Sequence, residues 1–392
     1  MSSRWHKLGL CAVVLLSGCS GGNVATASQP VLESLGAGGS DITSDLQARV
    51  DAGGVVTIPR GRYAITSPIT VRGNNTRIVG DGAFNGGSWV GYAGTGAAFV
   101  FDGCQHCSIE NVWITGDGVA DSTGIRFKDT FVGEADNVRI DQMGNGIDVF
   151  GATETVLDEV TLRSLHGSYG VRFSGDATHK SYRAVIDDLR ADNPRESMGD
   201  AGDAVTWILH DSYAYSLVVD KAAVLNGGYG YRMTDSISDG QSYPMWLFAT
   251  DLETDHNQHA GLMLEHGEGV QVSTSWLGST LAGDAVHIGS GFRGEVSIGQ
   301  SRIMGASGNG VYIGATRDVL LTGNQIGDNG GNGVVLDGTH TASIIGNRIG
   351  DLVGVAGNSQ EYGIYQTGAV GELVTVGNIL SGNSFEINQF TR

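Results

Sequence analysis

The chain has 392 residues, 63 of them glycine and five proline, and a formal net charge of −19. That charge excludes general attraction to nucleic acid or to an anionic membrane surface, so a polyanionic partner needs a local basic patch or a bridging cation. The length permits two or three domains, but one repeat runs through most of it and argues for a single elongated body.

At the start, Arg4 and Lys7 precede Leu8 to Leu16, an apolar run too short to span a bilayer. The next four residues, Leu16-Ser17-Gly18-Cys19, resemble the lipobox of bacterial lipoproteins, which implies cleavage before Cys19 and acylation of its thiol. Residues 1–18 therefore read as a lipoprotein signal peptide, 19–35 as a flexible tether and 36–392 as the folded domain. Ser20 in place of aspartate points to an outer-membrane lipoprotein of the bacterial envelope, facing the periplasm or the outside, with the lipid as its one membrane attachment.

Residues 40–53 are predicted to form the one helix, with Ser44 as cap, Leu46, Val50 and Ala52 on one face and Gly53 as stop. It would lid the open end of the strand-rich body, hiding apolar lumen and strand edges. Strands are predicted next, over 55–65, 69–71 and 77–82, between Gly and Asn turns. Cys104 and Cys107 form a Cys-x-x-Cys without the second pair that a structural zinc site needs; outside the cytoplasm a local disulfide, or two buried thiols, fits better.

From Gly124 to Tyr365 a small residue followed by an aliphatic or aromatic one recurs: Gly124-Ile125, Gly146-Ile147, Gly170-Val171, Ala204-Val205, Gly230-Tyr231, Gly261-Leu262, Ala285-Val286, Gly310-Val311, Gly333-Val334 and Gly363-Ile364. Successive pairs lie 22 to 34 residues apart, and apolar residues alternate after each, as in a strand with one buried face. A polar, turn-tolerant column leads the units: Asn111, Asn137, Glu159, Asp188, Asp251, Asn324 and Asn347. Units of this length without helical period predict an all-β solenoid, a single-stranded parallel β-helix of about ten or more coils capped by the short helix.

Gly54-Val-Val-Thr-Ile-Pro-Arg-Gly-Arg-Tyr-Ala-Ile65 and Arg77-Ile-Val-Gly-Asp-Gly82 resemble the opening of the pectate-lyase-like superfamily of right-handed β-helices. The resemblance implies a right-handed coil, polysaccharide chemistry as lyase, hydrolase, epimerase or depolymerase, and, by analogy with some relatives, a homotrimer. It carries no catalytic residue across: the paired aspartates with Gly-His-Gly of polygalacturonases and the Asp-Pro-His-Asp of alginate epimerases are both missing.

Outward positions must therefore supply the site. The residue two after the first member of each pair gives a surface line of Arg126, Asp148, Arg172, Thr206, Arg232, Met263, His287, Tyr312, Val335 and Tyr365. Arg126, Arg172 and Arg232 recur on every second coil and suit the carboxylates of an acidic polysaccharide; alternatively Asp148 ties the first two into an ion-pair triad. The richest cluster lies at 245–268, where Leu252 and Thr254 are expected inside and Glu253 and Asp255 outside. Glu253 and Asp255 could serve as the two carboxyls of a glycosidase, or, with Asp251, hold Ca²⁺. For β-elimination Arg232 or His256 would take the proton. Arg126, Arg172, Arg190, Trp207, Tyr229 and Glu265 complete the expected sugar-binding set, with long turns at 190–203 and within 229–261 as walls of a groove. The rival from another class is a non-catalytic glycan-binding or structural surface lipoprotein.

Overall fold

The computed structural model describes residues 39–84, 86–194, 204–237, 244–314, 318–352 and 360–388. Alternation of apolar and polar residues decides the fold. Most short strands bury about one side chain in two, as in Ile69–Val71 and Ser88–Tyr92, and stack in parallel register on the strand one coil away. Among the described residues thirteen strands form sheet one, from Ile69–Val71 to Phe385–Asn388. The other 24 form sheets two and three, joined where Tyr182–Asp192, Ser216–Leu225 and Trp246–Asp255 run unbroken through the corner between them. Each coil thus passes through sheets one, two and three, and the lumen fills with aliphatic and aromatic side chains such as Ile125, Phe127, Ile147 and Val171. Expected and observed architecture agree.

Tight corners between sheets two and three need backbone that turns at one residue. Asn111, Asn137, Glu159, Asp188 and Asp251 all take positive φ there, between 46° and 59°, a conformation that short polar side chains tolerate best. Asn137 donates to Asn111 Oδ1 at 2.6 Å, the stacked amide pair that the column implied. Two residues of that column stand elsewhere. Gly323 and Gly346 take the positive-φ place, so Asn324 and Asn347 fall one residue further on and turn inward. There Asn324 Nδ2 donates to Asn347 Oδ1 at 3.1 Å and Asn347 Nδ2 to Asn378 Oδ1 at 3.1 Å, a buried ladder that satisfies its own polar atoms.

The helix spans Thr43–Ala52 and packs Leu46 and Val50, both buried, over the first coil. Its start differs from expectation. Ile42 is the N-cap, Ser44 lies inside the helix, and Asp41 Oδ1 accepts the Thr43 amide at 2.9 Å, so the capping carboxylate comes one residue ahead of the cap position. Ala52 is exposed, outside the buried face. Cys104 and Cys107 form a local disulfide and are buried. Among the described residues no helix is long and apolar enough to cross a membrane. Residues 1–38, with Cys19 and the tether, lie outside the described residues, as do 195–203 of the first long turn and 238–243 of the second.

Candidate functional site

Register places the expected residues on three faces. On sheet one, Arg126 pairs with Asp148, Asp148 with Arg172, Arg172 with Leu209 and Leu209 with Arg232, so the arginines do stand on alternate coils. Leu209, rather than Thr206, holds the intervening place. The reason is a slip of three residues at the first long turn. Trp207-Ile208, and not Ala204-Val205, aligns with Gly170-Val171 and Gly230-Tyr231.

Trp207 is fully buried and donates Nε1–H to Leu225 O at 2.8 Å, so it is a core residue and not a sugar platform. Its indole fits because neighbours lack side chains. A Cβ on Gly170 would sit 2.8 Å from Trp207 Cε3, and one on Gly227 would sit 2.6 Å from its Nε1.

The slip also puts His210 at an inward position, where it is fully buried between Phe173 and Met233. His210 Nε2 donates to Ala214 O at 2.9 Å, because a carbonyl can only accept. Nδ1 therefore accepts from the Tyr231 hydroxyl at 2.7 Å, and the ring is neutral. Burial holds its pKa down at about 4.

Arg232 is held by Glu265 in a fork, Nε to Oε2 at 2.8 Å and Nη2 to Oε1 at 3.1 Å, over the Tyr229 ring. That pairing, first among the causes, pushes the guanidinium pKa further up, so Arg232 stays protonated and is no base. Glu253 and Asp255 point outward from sheet three, with Leu252 and Thr254 inside, as expected. Arg190 shares that face, two coils before Glu253. His256 Nδ1 lies 2.7 Å from Asp255 Oδ2, and Trp276 donates to Asp255 Oδ1 at 3.4 Å. Asp251 sits across the corner in its left-handed turn. Among the described residues no group of three or more acidic, histidine or cysteine side chains could hold a metal ion, so Asp251, Glu253 and Asp255 do not form the expected Ca²⁺ site. The corner separates the first acid from the other two.

Sheet two carries a feature that the repeat pattern alone did not single out. A cavity of about 450 Å³ lies on its outer face, lined by Trp246, Phe248, Gln271, Glu295, Ser297, Asp318, Leu320, Thr341 and Ser343 among others. It crosses five successive coils, hence about 19 Å at the inter-strand spacing of ~4.8 Å. Trp246 and Phe248 close one end with near-parallel rings, 6.2 Å between centroids and 10° between planes. Glu295 and Asp318 are direct partners on adjacent strands, both exposed. Neither Glu253 nor Asp255 lines this cavity. A sequence signal for it exists: Glu295-Val-Ser-Ile, Asp318-Val-Leu-Leu and Thr341-Ala-Ser-Ile repeat one outward-inward pattern at steps of 23 residues.

N-terminal to the cavity, the sheet-two edge at the corner carries carboxylates in register on five successive coils: Glu110, Asp136, Asp158, Asp187 and Asp220. Arg77 clamps Glu110 through both Oε atoms, and Thr250 donates to Asp220 at 2.6 Å. Partial burial first, then Asp158 and Asp220 on either side, raise the Asp187 pKa.

A family of right-handed β-helix regions matches residues 237–390. Among solved structures, the chain is similar to the A-module of the mannuronan C-5 epimerase AlgE4 of Azotobacter vinelandii, at 15% identity and a TM-score of 0.55 over 91% of this chain and 96% of that one. It is similar to tailspike protein 3 of bacteriophage CBA120, at 14% identity and a TM-score of 0.66 over 90% of this chain and 57% of the tailspike. It is also similar to PfbA, a surface adhesin of Streptococcus pneumoniae, at 12% identity and a TM-score of 0.52 over 89% and 90%. No curated protein sequence matches. One scaffold thus underlies an epimerase, a tailspike and an adhesin, and identities this low speak for fold and not for chemistry. Sequence period, strand register and these likenesses lead to the same conclusion: the chain is a right-handed parallel β-helix protein.

Proposed function

We propose that the protein is a carbohydrate-active enzyme that takes a polysaccharide into the sheet-two cavity and cleaves it with Glu295 and Asp318. The carrying observation is one elongated cavity with an aromatic end wall, a polar floor and two carboxylates in register. Sugars offer flat apolar faces and hydrogen-bonding rims, and such a lining complements both. Strand partners start about 4.8 Å apart, which brings the two carboxyls near the ~5–5.5 Å of a retaining glycosidase pair. A mannuronan epimerase built on the same scaffold is compatible with a polysaccharide ligand here.

The test is a panel of neutral and uronic polysaccharides read for new reducing ends and for unsaturated product. Reducing ends without the chromophore, lost at least 100-fold in Glu295→Gln and Asp318→Asn, are expected for general acid–base cleavage. The chromophore would make the protein a lyase and remove the two-carboxylate assignment. Binding without turnover on every substrate would favour the non-catalytic surface lipoprotein. Glu253→Gln and Asp255→Asn run in the same assay as the rival pair, because Trp276 stands beside Asp255; a loss confined to them would move the site to sheet three.

Lipidation at Cys19 and an outer-membrane location are likewise proposed, and a Cys19→Ser chain released from membranes is the expected result. A homotrimer is proposed by analogy alone and is read from light scattering.

A further inference from the structure

Asp148 is a buried carboxylate, 5% exposed, on the strand between those of Arg126 and Arg172. Arg126 Nε lies 3.1 Å from its Oδ2 and Arg172 Nε 3.6 Å from its Oδ1. Alignment is poor: Asp148 Oδ1 and Arg126 Nε are both buried with no hydrogen-bond partner. Arg172 Nε donates instead to Ser174 Oγ at 3.0 Å. Among the described residues no other carboxylate reaches either guanidinium, and the two side chains are 40% and 34% exposed. Two cations thus share one anion, and the surplus charge faces solvent. Phe150 and Tyr169 lie beneath Arg126 and Arg172, at 5.6 and 5.7 Å, and hold the planar forks against the sheet. Arg232, two coils beyond, is already saturated by Glu265.

We infer that Arg126 and Arg172 form an anion-binding site for the carboxylates of an acidic sugar chain lying along sheet one, with Asp148 as the internal anion that those carboxylates compete with. The two arginine strands stand two coils apart, about 10 Å at ~4.8 Å per coil, and both guanidiniums lean in towards Asp148, so an extended polymer running along the sheet can lay its carboxylates across the pair. Each fork can accept a carboxylate in bidentate fashion. This face is distinct from the sheet-two cavity, and the inference does not depend on cleavage there.

The measurement is retardation of the full chain in gels cast with polygalacturonate, against gels cast with neutral dextran. Wild type is expected to be slowed by polygalacturonate alone, less so as salt rises. Arg126→Gln and Arg172→Gln should each weaken binding about tenfold. Asp148→Asn, which removes the competing anion, should tighten it. Arg126→Lys and Arg172→Lys keep charge and ion pair but lose the fork, so they guard against variants that merely misfold; each should still weaken binding. Arg348→Gln, which removes the same charge from an exposed position on sheet three, should leave retardation unchanged. Wild type that is not slowed at low salt, or four Arg126 and Arg172 variants that migrate like wild type, would overturn the inference.

Discussion

Acid should unfold this protein partly through one imidazole. His210 is fully buried and neutral, its pKa lowered from 6.5 to about 4 by burial. Between those values the unfolded chain binds a proton that the folded chain refuses, so stability rises with pH across that window. The His210 contribution is complete above pH 6.5 and is lost progressively as pH falls through about 4. The gap between 6.5 and about 4 corresponds to about 3 kcal/mol. Glutamine can donate to Ala214 O and accept from Tyr231 OH without titrating, so His210→Gln is the informative replacement. Urea unfolding of both proteins at half-unit steps between about pH 4 and 8 isolates the effect, because carboxylate titrations common to both cancel in the difference. The wild-type curve should fall below that of the variant by about 3 kcal/mol on going to about pH 4. Parallel curves would refute the reasoning.

Other perturbations test packing. Gly170→Ala puts a methyl 2.6 Å from Trp207 O, a backbone atom, and should cost about 2 kcal/mol in denaturant unfolding. Trp207→Ala should cost about 3–5 kcal/mol by the same assay and leave polysaccharide affinity unchanged if the protein still folds, as befits a core residue. Reducing the Cys104–Cys107 disulfide opens a loop of sequence separation 3 and should lower stability by roughly 2 kcal/mol, read as a drop in thermal midpoint with dithiothreitol. Trp246→Ala should weaken binding to the polysaccharide that the chain cleaves by about tenfold in affinity electrophoresis.

Much of the tube is legible directly in residue order. A strict two-residue alternation restarting every coil leaves little freedom, so Arg126, Asp148 and Arg172 fall in one row on spacing alone, as register bears out. Spacing misleads where chain length between coils is unconstrained. Ahead of Trp207 the insertion lets both Val205/Trp207 and Ile208/His210 satisfy the alternation; packing chooses the second because neighbouring glycines make room for the indole and Tyr231 satisfies the imidazole. Asn324 and Asn347 are displaced by one residue for a backbone reason, since glycine takes the left-handed turn ahead of them. The alternation alone does not single out the cavity, because its lining residues come from five strands of sheet two. Glu295 and Asp318 lie 23 residues apart in sequence and become neighbours only through register.

Five carboxylates stacked from Glu110 to Asp220 have a thermodynamic consequence of their own. Like charges one coil apart repel, and partial burial together with the flanking Asp158 and Asp220 makes Asp187 hold its proton to higher pH than an ordinary aspartate. Screening the row should relax that mutual repulsion, which makes added electrolyte a stabiliser of the coils that bear it.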